Sequence, residues 1–173
     1  MTSHAAIERL KYLWKAKTPH GVHSPFVFDF IARVLKAQTK PADVFPSAKT
    51  AGSLAGIPSA KYAKAINRLV SVYGYTQPLF LPDDTEEEPT SADFILITAE
   101  PRVWIRLFHR YHPGLKGKSC VVIANIHKTR RHTGKWNRLC SHPKVKMSID
   151  LYGIGILFFK EDFREKQHFI LSY

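Results

Sequence analysis

ADFILIT (92–98), AEPRVWIRLFHRYHPGLKGKS (99–119) and CVVIAN (120–125) follow one another in the middle of the chain. They read as a short apolar run, a helical pattern with stop signals, and a second apolar run. Two buried strands joined by a helix make a βαβ unit, whose crossover needs about ten residues or more. Pro101 opens the helix, Val103, Trp104, Leu107, Phe108 and Tyr111 face inward at helical spacing, and Gly114 closes it. Binding groups in such sheets gather past the carboxyl ends of the strands. Here those ends are Thr98-Ala99-Glu100 and Ala124-Asn125-Ile126, short of the acids and glycines that cofactor chemistry uses. The pattern predicts an α/β fold and names no activity.

On the C-terminal side comes IHKTRRHTGKWNRLCSHPKVK, in which seven Lys or Arg and no acid lie between His127 and Lys146. Cations around Trp136 suit phosphate contact with base stacking; alternatively this is a solvated helix with Trp136, Leu139 and Cys140 turned to the core. Strands are expected at about 145–151 and 154–160, around a tight turn at Tyr152-Gly153, and at about 168–172. Short connections predict antiparallel neighbours there.

On the N-terminal side, QPLFLP (77–82) is a candidate strand. The run DDTEEEPTS after it holds five acids from Asp83 to Glu88. It reads as a solvated loop, or as a cation site that lacks the turn-forming glycine of known ligand loops. A helix begins near Ser59, with Tyr62, Ile66, Leu69, Val70 and Tyr73 at helical spacing and Gly74 as its stop. Residues 38–58 are a loop. Ser24-Pro25 starts another helix with Val27, Phe30, Ile31, Val34 and Leu35 on its core face. Residues 4–16 form a helix with an apolar face of Ile7, Leu10 and Leu13 or Trp14, for which Ser3 is a candidate cap. His20 and His23 flank Gly21 between these two helices, either contacting a ligand or satisfying backbone groups.

At 173 residues the chain suits one domain with a real core. Its net charge of +12 is uneven. Residues 1–50 carry +5, residues 51–100 carry −4, and residues 101–173 carry +11. No apolar run approaches the ~18 residues of a membrane span, and charges interrupt the first residues where a signal peptide needs its apolar centre. A cytoplasmic protein without a membrane partner is expected. Cys120 and Cys140, far apart and without CxxC spacing, read as buried reduced thiols.

The segments HGVHSPFVFDFIARVL and VKMSIDLYGIGILFFKEDFREKQHFIL resemble the two ends of a bacterial family of class I S-adenosylmethionine-dependent methyltransferases. Members open with two helices around a His-Gly-(Val/Ile)-His-Ser-Pro-Phe-Val-Phe motif. They close with an Ile-Asp-Leu-(aromatic) strand, a Gly-containing apolar strand and a Lys-Gln-His-Phe segment. Residues 59–81 resemble, more loosely, the helix leading into the family's first strand, and residues 93–145 its fourth strand through the helix after its fifth. The resemblance implies a reduced Rossmann-like methyltransferase sheet of about five or six strands at 59–173. It also implies a helical extension at 1–37 and a C-terminal antiparallel hairpin.

The departures bear on function. The family's first strand ends in an acid and a Gly-rich turn that cradle the cofactor, and its second in an acid for the ribose. This chain passes from the first-strand position to the fourth within about ten residues, too few for two strands and their helices. Thr98-Ala99 stands where the family has Asp-Gly, and Ala124-Asn125 where it has Asp-Asp. The resemblance therefore implies a degenerate methyltransferase that binds no S-adenosylmethionine and no metal. A surviving methyltransferase would rebuild its site from His20, His23, Asp83, Asp84, Glu100 and Asn125. A module for RNA or another polyanion would use Lys128, Arg130, Arg131, Lys135, Trp136 and Arg138. Missing strands would leave the 78–81 strand with an open edge. Either a homodimer across that edge, or coverage by residues 38–58 or the N-terminal helices, is expected.

Overall fold

The computed structural model describes residues 3–17, 23–38, 56–82, 91–115, 117–163 and 165–173. Among the described residues, three helices precede the sheet: α1 (Ser3–Lys15), α2 (Pro25–Phe30) and α3 (Ala60–Tyr73). α2 runs on through a wider turn, Ile31–Leu35, closed by Lys36 N–H to Ile31 O at 2.9 Å. Then come β1 (Pro78–Leu81), β2 (Phe94–Ile97), α4 (Pro101–Tyr111), β3 (Cys120–Ala124) and α5 (Arg130–Cys140). β4 (Met147–Asp150), β5 (Ile154–Phe158) and β6 (Gln167–Ile170) end the chain.

The strands form one six-stranded mixed sheet in the order β1-β2-β3-β5-β4-β6. β1, β2 and β3 are parallel neighbours, so 92–125 is the βαβ unit that its pattern predicts. β5 alone runs the other way, antiparallel to β3 and to β4. The β4–β5 hairpin turns at Tyr152, whose φ is 66°. The expectation of antiparallel neighbours fails at β6, which pairs with β4 in parallel. β5 is inserted between β3 and β4 and has both edges filled, so β6 finds its partner on the far edge of β4.

Alternation within the strands divides the core into two layers. Phe94, Leu96, Cys120, Val122, Ile149 and Ile156 face α2 and α3. Ile95, Ile97, Val121, Ile123 and Leu157 face α4 and α5. The predicted stripes of α2 and α4 are buried in full, and Ile66, Leu69 and Val70 of α3 are buried as well. Each such side chain contributes roughly 1.5–3 kcal/mol of transfer free energy. The starts and stops are also as read: Ser24 Oγ accepts from Val27 N–H at 3.4 Å, and Gly74 ends α3 with φ 67°. Cys120 is buried, Cys140 half-buried, and both are free thiols. Burial pushes each up to about 12.

Two further expectations change. α1 begins at Ser3 itself, and its apolar residues Ile7, Leu10, Leu13 and Trp14 are exposed. α1 also lies at the opposite end of the sheet from β1. Lys17 N–H donates to Ile170 O at 2.8 Å, and Ser172 N–H donates to Lys17 O at 3.2 Å. It therefore does not cover the outer edge of β1, which pairs with no strand among the described residues.

Candidate functional site

The carboxyl ends of β3 and β4 come together, and the polar groups just past them form one network. Asn125 leaves β3 in the left-handed region, φ 60°, a conformation that asparagine tolerates better than most residues. Its N–H donates to Gly153 O at 2.6 Å, and its side-chain Nδ2 donates to Gly56 O at 2.7 Å. Two residues on, His127 is buried. Its Nε2 lies 2.7 Å from Asp150 Oδ2 at the tip of β4, and its Nδ1 lies 3.1 Å from Thr133 Oγ1 on α5. Asp150, 3% exposed, accepts through Oδ1 from Tyr152 N–H at 2.8 Å.

Tyrosines enclose this pair. The Tyr152 ring stacks on His127 at 5.7 Å, and its hydroxyl donates to Ala5 O at 2.8 Å, tying α1 over the site. His4 reaches Thr133 Oγ1 at 3.3 Å. Tyr12 donates its hydroxyl proton to Leu171 O, and burial raises its pKa. Tyr62 donates to Leu151 O at 2.9 Å and accepts from Gly153 N–H at 3.1 Å. A Cβ on Gly153 would fall 2.3 Å from the Tyr62 ring, so the Tyr62–turn contact requires glycine.

Two cavities flank His127. One, of about 350 Å³, is lined by Arg9, Ser59, Tyr62, Asn125, Lys128 and Tyr152 among others. The other, of about 230 Å³, includes Glu8, Lys11, Tyr12, Asn137 and His168 in its wall. Both ring nitrogens of His127 and both oxygens of Asp150 are already engaged by protein groups. The pair clamps the β3–α5 loop to β4 and α5.

The sequence-predicted residues are only partly brought together. Asn125 lies in the network. Glu100 sits at the start of α4, 65% exposed, with Oε1 3.8 Å from Lys128 Nζ and Oε2 3.9 Å from His132 Nε2. His132 packs edge-on against Trp104 at 5.3 Å, and burial lowers its pKa. His23 is exposed ahead of α2 and lines neither cavity. His20, Asp83 and Asp84 lie outside the described residues, as does most of the 38–58 loop. Of the polyanion candidates, Lys128, Arg130, Arg131 and Arg138 are exposed and Lys135 is half-buried. Trp136 is corrected: it is fully buried, so no base can stack on it. It lies over Gly155, where a Cβ would meet its ring at 2.5 Å.

His127, Asp150, Tyr152 and Tyr62 escaped the sequence reading as site residues. A signal did exist, because Asp150 and His127 both sit at or just past strand ends. Their pairing depends on β5 bringing β4 round to β3's neighbourhood, which no spacing announces. Among the described residues, no group of three or more His, Cys, Asp or Glu could hold a metal ion. The chain matches no protein-family model, no curated protein and no solved structure.

Proposed function

We propose that this chain is a methyltransferase-like scaffold that has lost S-adenosylmethionine binding and methyl transfer. The observation that carries this reading is the position of Gly56. Its carbonyl takes the Asn125 amide at 2.7 Å, and a Cβ on it would lie 2.5 Å from Thr98 Cβ. The chain's own backbone thus lies over the tips of β2 and β3, where a sheet of this kind receives its ligand. Strand order supports the same reading. β1, β2 and β3 neighbour one another as the first, fourth and fifth strands do in a doubly wound sheet. The strands that would continue outward from β1 have no counterpart among the described residues. The residues present do not fit the cofactor: no Gly-rich turn follows β1 in the sequence, and the tips of β2 and β3 carry Thr98 and Asn125 where the family has carboxylates for a metal or a general base.

Titration calorimetry with millimolar S-adenosylmethionine is expected to show no binding heat. Micromolar binding, or transfer of a labelled methyl group to any cell fraction, would overturn the proposal. The exposed cations Lys128, Arg130, Arg131 and Arg138 support a second reading, electrostatic contact with a polyanion without base stacking. Retention on heparin that falls steeply between about 50 and 200 mM salt is its expected signature. Flat salt dependence would remove it.

A further inference from the structure

α1 is amphipathic in the reverse of the usual sense. At about 100° per residue, Tyr12, Ala5 and Ala16 fall on one side, and that side meets the body. Tyr12 is 7% exposed, and Ala5 O accepts from Tyr152. On the opposite side Ile7, Leu10, Leu13 and Trp14 span an arc of about 120°. They are 50%, 68%, 58% and 85% exposed. One exposed apolar side chain is ordinary, but four on one arc of one helix mark a contact surface. Cations frame the arc, with Lys11 and Lys15 along one border and Arg9 along the other, and Lys17 follows just past the helix; all are exposed. Glu8, the one acid of the helix, is 14% exposed and paired with Lys11 at 2.8 Å.

A convex apolar ridge with a tryptophan and cationic borders complements an anionic bilayer. Such a helix lies in the plane of the interface, its apolar face among the headgroups and its cations on the phosphates. Pairing with a second copy would set the same cations of two +12 chains against each other. We infer that α1 docks this protein on an anionic lipid surface. Ile7, Leu10, Leu13 and Trp14 enter the interface, and Arg9, Lys11, Lys15 and Lys17 meet the lipid phosphates. No helix among the described residues is long and apolar enough to cross a membrane. α1, with 13 residues, lies along the surface.

The test mixes the full chain with vesicles of phosphatidylcholine alone, or with one quarter phosphatidylglycerol, and reads flotation together with tryptophan emission. Trp104 and Trp136 are fully buried, so a blue shift reports on Trp14. Flotation with the anionic vesicles and a blue shift are expected, with little of either on the neutral ones. Leu10→Asp combined with Trp14→Ser alters only exposed positions; with unchanged circular dichroism, it abolishes flotation. Lys11→Gln and Lys15→Gln each weaken binding about fivefold. Failure to float with the anionic vesicles would overturn the inference. So would undiminished flotation of the double variant, which would assign the binding to the α5 cations. A lipid-free blue shift that grows with protein concentration, with a dimer in light scattering, would instead give the ridge to a second copy.

Discussion

α4 turns Val103, Trp104, Leu107, Phe108 and Tyr111 inward and buries all five, whereas α1 turns Ile7, Leu10, Leu13 and Trp14 outward, each half exposed or more. The two stripes look alike in sequence. The difference lies in how each helix is tethered. α4 is the crossover of a βαβ unit, held at both ends by parallel strands, so its apolar face is pressed onto the sheet. α1 is held by polar contacts from its other side: His4 to Thr133, Tyr152 to Ala5 O, Tyr12 to Leu171 O. Apolar periodicity therefore tells that a helix has a face to cover, and the tethers tell what covers it.

Truncating a tryptophan in each helix separates a covered face from an uncovered one. Trp104→Ala should cost about 3–5 kcal/mol, while Trp14→Ala should stay within about 0.5 kcal/mol, both read from urea unfolding. Equal losses would mean that α1's ridge is covered within the monomer. Next in size is the tether. Tyr152→Phe removes the bond to Ala5 O and should cost about 0.5–1.5 kcal/mol. Amide exchange should then quicken in α1 and stay unchanged in α4.

Acidity acts through imidazoles packed on α4 and, at His168, beside α1. Burial lowers the pKa of His132, which packs on Trp104, and burial also lowers those of His142 and His168. These imidazoles are harder to protonate in the folded chain than in the unfolded one. The unfolded state then binds more protons as the pH falls below the ordinary histidine value of about 6.5. Stability should be full above that value and drop as the pH falls through the lowered ones, seen as a smaller urea midpoint at pH 5.5 than at 7.5. His132→Gln should flatten part of that slope. The smallest effect belongs to α5, whose first turn sets Arg130 and Arg131 against the helix dipole. Arg130→Glu should stabilise the fold by about 0.3–1 kcal/mol, and heparin retention should fall with it if these cations meet a polyanion.

Legibility differed from part to part for physical reasons. The βαβ unit, the α2 and α4 stripes, Ser24-Pro25 and Gly74 were readable because each depends on residues close in sequence. The place of β6 was not, because pairing depends on which edge is vacant after β5 inserts. At the site, Asn125 was readable as a strand-end polar group. The His127–Asp150 pair, 23 residues apart, was not. Trp136 carried two readings, and only its contact with Gly155 chose between them.

Residue order alone was enough to establish an α/β chain with buried central strands, because local periodicity and capping act over a few residues. Which strand edges meet, which way α1 faces, and whether the tips of β2 and β3 are open or covered by Gly56 were settled by tertiary packing. Those outcomes rest on competition among distant surfaces for the same partners, and no short stretch of chain encodes the result of that competition.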